Sequence, residues 1–353
     1  MDEHQRPVDA HLPATPPDLP SLSEDEWVAE MRKILGGEMP GVRLGVGDDA
    51  ALVDAGDRLV ILTADMLIEG VHFRLETISA RDLGYKAIAV NVSDVAAMGG
   101  SPRYGLVSAA FPSHTDLGWL VELYGGIRDA SAEYAMAVVG GDTSRADRVV
   151  LSVALTGEVT KEGAVTRAGA RPGDRLVVTG ALGASAGGLR LAEANAEEAR
   201  RAIASDWGRH LLAAHVRPRA RVGEGQTLAA CGATAMMDIS DGLALDLSRL
   251  CRESGVGAVV KQARVPVSPS LGPLAEVVPI DPMELALSGG EDYELLAAMP
   301  RDTVDLAASK LRDRFGTSLT EVGEIRAGDG VVIVEADGAE RPLEPAGWDH
   351  FAS

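Results

Sequence analysis

Acidic side chains that follow apolar segments or sit beside glycines recur along the chain, and they are its best candidates for chemistry. The five segments are Gly47-Asp48-Asp49, Thr63-Ala64-Asp65, Gly140-Gly141-Asp142, Asp238-Ile239-Ser240-Asp241-Gly242 and Gly289-Gly290-Glu291-Asp292. Carboxylate oxygens are preferred ligands of Mg²⁺. Aspartate and glycine also dominate turns for conformational reasons, so one such segment alone favours a turn. Five segments together favour a site for divalent cations.

One helical segment adds a further carboxylate to this set. In residues 81–98, helical spacing places Ala87, Asn91, Asp94 and Met98 on one face, next to an apolar stripe. A buried carboxylate is unfavourable unless it is paired or binds a metal ion. The pattern predicts a cation ligand at Asp94, with an aspartate satisfied by a backbone cap as the alternative.

Phosphate chemistry fits the acidic segments better than the other common reaction types. The sequence contains no GxxxxGK[ST], no ordered HRD and DFG pair, no GxSxG, no HExxH and no Cys/His zinc spacing. The glycine-rich stretch 180–188 precedes a helix, so its amides are a weak candidate for a phosphate cradle. Phosphoryl transfer needs mainly positioning and charge neutralisation, which bound metal ions supply.

Composition and charge exclude several classes of protein. The 353 residues include 33 Lys and Arg against 53 Asp and Glu, a net charge of −20. This charge argues against nucleic-acid and anionic-membrane partners. There is no apolar run of roughly 18 residues and no signal-peptide pattern. Cys231 and Cys251 lie in no CxxC motif, which indicates free thiols in a reducing compartment. The expectation is a soluble, cytoplasmic protein.

Strand and helix patterns predict two domains of α/β (α+β) class. Residues 1–22 contain five prolines and are expected to form a disordered tail. Ser23 and Glu26 form a capping-box pattern before the first helix, with Gly36 as its stop. Turn residues near 161–173 predict a boundary between an N-terminal domain, 23–160, and a C-terminal domain, 161–353. Strands are predicted to end just before Asp65 and Asp142.

Seven segments, in order, resemble the thiamine-monophosphate kinase family. They are GVGDDAALVD, LTADMLIEGVHF, DLGYKAIAVNVSDVAAMGG, GGDTSR, MDISDGLALDL, ALSGGEDYEL and GWDHF, and the likeness spans about residues 23 to 351. The resemblance implies a two-domain aminoimidazole-ribotide synthetase-like fold, with a homodimer whose N-terminal domains form a β-barrel and a C-terminal α/β domain. It implies ATP-dependent phosphorylation of thiamine monophosphate, with several Mg²⁺ ions and no phospho-enzyme.

The resemblance also implies roles for individual residues. The implied metal ligands are Asp49, Thr63, Ala64, Asp65, Asp94, Asp142, Asp238 and Asp241. The implied ATP-binding residues are Tyr124, Gly141, Asp142, Arg167 and Ser240, and those for thiamine monophosphate are His72, Glu291 and Trp348. Ala64 stands where the family commonly has threonine. A metal contact there would therefore come from the backbone carbonyl.

The chemistry of these side chains agrees with most of the implied roles. Arg167 carries a forked donor suited to phosphate, and Trp348 offers a flat face to a cationic or aromatic ring. Glu291 can counter a positive charge. Without the resemblance, Trp348 is equally compatible with a core position and His72 with a structural loop histidine. We assign no catalytic base, because the acceptor phosphate is already anionic; Arg167 and Asp142 position the phosphates.

Two alternatives to the kinase remain. One is another ATP-dependent enzyme of the same superfamily, such as aminoimidazole-ribotide synthetase, and the segments GVHF and GWDHF favour the kinase over it. The other is a non-catalytic nucleotide-binding regulator, which the loss of a central aspartate would support. All the matching aspartates are present, and they favour an enzyme.

Overall fold

A computed structural model describes residues 23–35, 39–194 and 197–348 of the chain. Residues 23–35 belong to one compact unit and residues 39–348 to another. Helix α1 (Glu24–Leu35) begins at the expected capping box, where the Ser23 amide donates to Glu26 Oε2 at 2.8 Å. The expected tail and the expected stop at Gly36 lie outside the described residues.

The first sheet has six strands in the order β1-β2-β3-β6-β4-β5. Only the β4–β5 pair is parallel among these strands. The strands are β1 (Val42–Leu44), β2 (Ala51–Ala55), β3 (Arg58–Ile68), β4 (Ser101–Phe111), β5 (Ala137–Arg145) and β6 (Val150–Thr160). The buried core on one face includes Ile61, Val107, Leu151 and Leu155 together with residues of two helices. That face of the sheet is therefore the packed one.

Helices α2 (Ala80–Ala97) and α3 (Leu117–Glu133) supply the other half of this core. Helix α2 begins where the Ser79 side chain accepts a hydrogen bond from the Asp82 amide. Gly84 allows close packing of the two helices, because a Cβ there would lie 1.9 Å from the Leu123 carbonyl oxygen. Fifteen of the 18 residues of α2 are buried, so the helix can carry polar side chains into the interior.

The second sheet has seven strands in the order β13-β12-β9-β11-β7-β10-β8 and is mixed. Its strands are β7 (Arg175–Thr179), β8 (Ala235–Asp238), β9 (Gly257–Lys261), β10 (Leu295–Met299), β11 (Leu319–Arg326), β12 (Val331–Val334) and β13 (Glu340–Pro342). Every residue of β8 and β10 is buried. Helices pack around this sheet as α4 (Ala184–Glu193), α5 (Glu197–Ala202), α6 (Asp206–Val216), α7 (Val222–Ala230), α8 (Leu243–Ser254), α9 (Leu271–Ala275), α10 (Pro282–Ser288) and α11 (Val304–Phe315).

Two strands are longer than the sequence predicts, and the difference matters for the acidic residues. Strand β3 continues through Asp65 to Ile68, because it pairs with β6 along its whole length. Strand β5 continues through Asp142 to Arg145, because it pairs with β4. The directions of these two carboxylates are therefore set by strand alternation and not by a loop. Asp238 does end its strand, as expected.

None of the helices in the described ranges is both long and apolar enough to pass through a lipid bilayer.

Candidate active site

The contact between α2 and β3 brings the first group of acidic residues together. The Thr63 hydroxyl donates to the Asp94 carboxylate, and the Asp65 amide donates to Asn91 Oδ1 at 3.1 Å. Asn91 is fully buried and donates its own amide to the Ala87 carbonyl. The helix face predicted from spacing is thus the face that meets β3, and the Asp94 carboxylate is bound by a side-chain hydroxyl.

Helix α2 also reaches the second half of the chain. The Ser93 hydroxyl donates to Asp238 Oδ2 at 2.5 Å, and Asp238 is 2% exposed at the end of β8. Burial and neighbouring negative charges raise the pKa of Asp94 well above its usual value. Those neighbours are Asp65, Asp238 and Asp49. We call these four aspartates, Asp49, Asp65, Asp94 and Asp238, the carboxylate cluster.

Asp49 joins the cluster through Arg167. The Arg167 guanidinium donates to Asp49 Oδ1 from Nε at 3.1 Å and from Nη2 at 2.5 Å, and its backbone amide donates to Asp48 Oδ2 at 3.0 Å. Asp49 Oδ2 is buried and has no hydrogen-bond partner in the described structure. Burial raises the pKa of Asp49 despite the opposing charge of Arg167. A buried carboxylate oxygen without a partner is suited to a bound cation.

Asp241 lies in the loop that follows β8, where two residues that sequence reasoning missed hold it. The Arg249 guanidinium donates to the Asp241 carboxylate, and Asp246 Oδ2 accepts hydrogen bonds from the amides of Asp241 and Gly242 at 3.0 and 3.1 Å. Gly242 has φ +120° in this turn, a conformation that glycine adopts most readily. In the sequence, the indication of these contacts is the spacing of Asp246 and Arg249, which lie three residues apart in α8.

The donor set of the cluster fits Mg²⁺. Its ligands are hard oxygens from β3, α2, the 48–49 segment and the end of β8, with one buried oxygen unpaired. Within the described ranges, no three Asp, Glu, His or Cys side chains are arranged so that they could hold a metal ion by themselves. This arrangement fits an open site, in which water and phosphate oxygens complete the coordination of the ion.

A second group of expected site residues lies at the edge strand β5. Tyr124, Gly141 and Asp142 line a cavity of about 310 Å³ together with Val107, Val138, Gly140 and Thr143. We call this cavity the edge pocket. Gly141 has φ +156°, and a Cβ there would lie 1.8 Å from the Val107 carbonyl oxygen. Only glycine therefore fits the backbone conformation of β5 at position 141.

Strand register separates the edge pocket from the carboxylate cluster. Asp65 pairs with Val153, Val153 with Val107, and Val107 with Gly141. Three strand spacings put Gly141 roughly 14 Å from Asp65 along the sheet. Asp142, one residue further on, points to the opposite face from Asp65. Ala64 points to that same exposed face. The fold of one chain thus does not bring Asp142 to the other acidic residues.

Glu291 is already paired with two basic side chains that the sequence did not reveal. Lys86 Nζ lies 2.8 Å from Glu291 Oε1, and His215 Nδ1 lies 3.1 Å from Glu291 Oε2. Burial alone would raise the pKa of Glu291, but the charge of Lys86 and the hydrogen bond with His215 outweigh it and lower the pKa to about 2. Glu291 is therefore an anion at neutral pH, with part of its charge already balanced.

The other two residues expected to bind thiamine monophosphate lie near loops of the site. His72 Nδ1 accepts a hydrogen bond from the Ile68 amide at 3.0 Å, just after β3. The Trp348 amide donates to the Asp241 carbonyl at 3.1 Å, and Trp348 is 51% exposed. Its exposure excludes the core interpretation of this tryptophan. Ser240 lies in the same loop as Asp241, and its carbonyl accepts from the Glu291 amide at 2.7 Å.

The glycine-rich stretch before α4 does not present free amides to a phosphate. Asp292 closes it, because its carboxylate accepts from the amides of Gly183 at 2.7 Å and Ser185 at 3.3 Å. The weak phosphate-cradle interpretation of residues 180–188 is therefore wrong for these two amides. A carboxyl group does occupy this helix start, but it belongs to Asp292 of the protein itself, and burial raises its pKa to about 8.

Comparisons with known proteins agree with this arrangement. Residues 47–159 match the family model "AIR synthase related protein, N-terminal domain", and residues 171–335 match the corresponding C-terminal domain. The thiamine-monophosphate kinase of Aquifex aeolicus is 38% identical over 87% of this chain and 92% of its own. The Bacillus subtilis enzyme of the same name is 35% identical over 88% and 94%.

A solved structure extends these similarities to the fold. The structure "AaThiL complexed with AMPPCP and TMP" matches 94% of this chain and 98% of its own, with 35% identity and a TM-score of 0.82. In that protein the bound molecules are an ATP analogue and thiamine monophosphate. The chain described here has the same two-domain α/β fold with mixed sheets.

Proposed function

The chain belongs to the thiamine-monophosphate kinase family, and we propose that it transfers the γ-phosphoryl group of ATP to thiamine monophosphate, yielding thiamine diphosphate and ADP. The observation that carries the proposal is the carboxylate cluster, to which both halves of the chain contribute beside Arg167. Phosphoryl transfer between two anions needs this kind of local charge neutralisation.

We propose that several Mg²⁺ ions bind the carboxylate cluster together with Thr63, Ala64, Asp142 and Asp241. Bound ions would neutralise the phosphate charge. The chain's own residues do the positioning: Asn91 holds the backbone of Asp65, Thr63 holds the Asp94 carboxylate, and Ser93 holds that of Asp238. Arg167, fixed by Asp49, keeps a cationic fork beside the cluster, where it can orient a phosphate.

We propose that ATP occupies the edge pocket and that thiamine monophosphate lies beside Glu291. Tyr124, Gly141 and Asp142 already share the edge pocket, and Ser240 lies in the Asp238–Asp241 loop. The exposed indole of Trp348 and the Nε2 side of His72 are placed near loops that carry metal ligands. No side chain is assigned as a general base, since a phosphate oxygen of the acceptor is the nucleophile.

We propose that the working unit is a homodimer whose N-terminal domains form a β-barrel. The outer face of the first sheet exposes apolar side chains in adjoining rows, among them Leu62, Met66, Tyr104 and Leu106. An apolar face of this kind marks a protein interface. A second copy of the chain is the proposed occupant, since it would cover this face with an identical one.

The strand edges of the first sheet favour the same dimer. Strand β2 pairs with β3 only as far as Leu62, so residues 63–68 of β3 have no second strand neighbour in the described ranges. Strand β5 is an exposed edge. If β5 of one copy pairs with this half of β3 in the other, four strands from each copy close a barrel without open edges. The backbone of β5 around Asp142 would then lie beside residues 63–68 of β3 in the other copy.

The dimer is tested by placing a charge on the exposed sheet face. Leu106→Lys is expected to shift the protein from dimer to monomer in sedimentation experiments, because a buried lysine would lack a partner. Leu306 is exposed to a similar degree on α11, and Leu306→Lys is the matched control. A wild-type protein that sediments as a monomer would contradict the proposal.

We also propose that the chain acts in the cytoplasm, and we retain a domain boundary near residue 160. Two observations support this location. Both cysteines are free and buried, and the chain has a net charge of −20. The two sheets, whose strands lie within residues 42–160 and 175–342, support the boundary.

The experiment that tests the proposed function is an assay with ATP, Mg²⁺ and thiamine monophosphate, in which thiamine diphosphate is measured by chromatography. We expect product with the wild-type protein and none with Asp142→Asn. ATP binding without product would exclude the kinase and favour another ATP-dependent enzyme of the superfamily.

A further inference from the structure

We propose that His215 is a positioning residue for this reaction, which fixes the direction of the Glu291 carboxylate toward thiamine monophosphate. The inference rests on the proposed function, in which Glu291 contacts that substrate. It concerns a histidine that lies in none of the acidic segments and has no role in phosphate or metal binding above.

Three elements distant in sequence converge on Glu291. Lys86 comes from α2, His215 from α6, and Glu291 from the segment just before β10. Lys86 is 1% exposed and His215 is 6% exposed, so both side chains sit in a tightly packed interior. Each carboxylate oxygen of Glu291 has one of them as its partner. Two contacts from different directions prevent the carboxylate from rotating.

The two partners have different roles. Lys86 supplies the positive charge that keeps a buried carboxylate ionised. His215 supplies direction, because a carboxylate oxygen only accepts and the Nδ1 atom must therefore carry the hydrogen. Ser185 Oγ lies 3.2 Å from the same Nδ1 atom, and it fixes the imidazole ring from the side of α4.

The backbone of Glu291 is held as firmly as its side chain. Glu291 has φ +65°, a conformation that is unfavourable for a residue with a Cβ. Its amide donates to the Ser240 carbonyl at 2.7 Å, which ties it to the loop that carries Asp238 and Asp241. Such backbone conformations persist where the surroundings determine them and are frequent at functional sites.

One side of the Glu291 carboxylate remains accessible. Its side chain is 26% exposed, whereas those of Lys86 and His215 are almost completely enclosed. A carboxylate has about four acceptor positions, and the contacts with Lys86 and His215 leave at least two of them free. The remaining positions face outward in a fixed direction and can accept hydrogen bonds from the amino group of the thiamine or attract its cationic ring.

The test compares two substitutions of His215. Asn retains an N–H close to the position of Nδ1, whereas Leu removes the donor and retains an apolar volume. We expect His215→Leu to raise KM for thiamine monophosphate about tenfold, the size of one hydrogen bond to a charged group. KM for ATP and kcat should stay within about threefold of wild type, and His215→Asn should restore KM for thiamine monophosphate.

Thr234→Val is the matched control variant. Thr234 donates to the buried carboxylate of Asp174 at 2.6 Å, just before β8 and so at the opposite end of that strand from Asp238. Thr234→Val removes a donor to a buried carboxylate, as His215→Leu does, but at a position away from Glu291. We expect a lower melting temperature for Thr234→Val with both KM values unchanged.

Several outcomes would overturn the inference. They are an unchanged KM for thiamine monophosphate in His215→Leu, an equal rise of both KM values, or failure of His215→Asn to restore the wild-type value. If His215→Leu does not fold, Ser185→Ala replaces it, with an expected threefold rise of the same KM. If the wild type makes no thiamine diphosphate, the proposed function fails; calorimetry with thiamine monophosphate then tests the His215 variants directly, and equal affinities would overturn the inference.

Discussion

The carboxylate cluster lies around β3 and the edge pocket lies along the edge strand β5, and the two sites differ in how completely one chain surrounds them. The cluster receives partners from α2, β3, the end of β8 and Arg167. The edge pocket lies along β5, a strand whose residues are nearly all exposed. Packing within the chain therefore brings the buried carboxylates together, whereas the residues proposed to bind ATP lie at an exposed strand edge.

Loss of Asp94 is expected to have the largest effect, because this residue lies among the other three carboxylates. Asp94→Asn should lower kcat by about a thousandfold or more, the range seen when a central electrostatic contact is removed. The same variant should melt at a higher temperature in a chelator, because it removes repulsion between buried acidic groups. Measuring kcat and the melting temperature on the same variant tests both the expected fall in activity and the expected rise in stability.

The control for Asp94→Asn is Asp57→Asn, in the exposed turn between β2 and β3. We expect neither effect in the control. A lower melting temperature for Asp94→Asn in chelator would contradict the account of the cluster as a set of repelling charges.

Replacement of Gly141 tests the edge pocket through its backbone. Gly141→Ala would place a Cβ 1.8 Å from the Val107 carbonyl oxygen, so β4 and β5 could no longer pair in the same register. We expect a loss of about 2–4 kcal/mol in the free energy of unfolding by urea. Gly140→Ala is the neighbouring control, since its Cβ would meet only the Leu106 side chain at 3.4 Å. Equal stability of the two variants would show that β5 is not held as described.

The pH dependence of stability distinguishes Glu291 from the cluster. The pKa of Glu291 is lowered to about 2, so its ionised form stabilises the fold above pH 4.5 and this contribution is lost as the pH falls toward 2. The free-energy gap between wild type and Glu291→Gln, on the order of 3 kcal/mol, should narrow over that range. Urea unfolding at several pH values measures it. If the free-energy gap widened on acidification, the contacts with Lys86 and His215 would not stabilise the ionised form of Glu291.

Tyr124 offers the mildest test of the edge pocket. Its side chain is partly exposed on α3, so Tyr124→Ala should leave the melting temperature nearly unchanged. KM for ATP should rise about three- to tenfold, while KM for thiamine monophosphate stays constant. The reverse selectivity, measured by varying each substrate in turn, would place the nucleotide elsewhere.

Local patterns in the sequence predict much of the fold but not the contacts that complete the site. The capping box at Ser23 and the polar face of Asn91 and Asp94 can be predicted because each depends on neighbours within one helix. The ends of β3 and β5 were misplaced, because pairing with distant strands decides how far a strand extends.

The site residues that the sequence did not reveal also depend on contacts between distant parts of the chain. The Ser93–Asp238 contact joins positions 145 residues apart, and no local periodicity indicates it. Lys86 was hidden in an apolar helix, where a lysine normally points to solvent. His215 had no motif around it. These residues belong to the site because they lie beside an acidic group in the folded chain. The sequence alone does not show that proximity.

Mixed dimers of two inactive variants test most directly whether a second copy completes the site. Asp94→Asn and Asp142→Asn are each expected to be inactive alone. When the two are co-refolded, half of the dimers are hybrids, and each hybrid carries one site without either substitution. About a quarter of wild-type activity should therefore be recovered. No recovery, with hybrid dimers shown to form, would mean that Asp94 and Asp142 act within the same chain and would contradict the account.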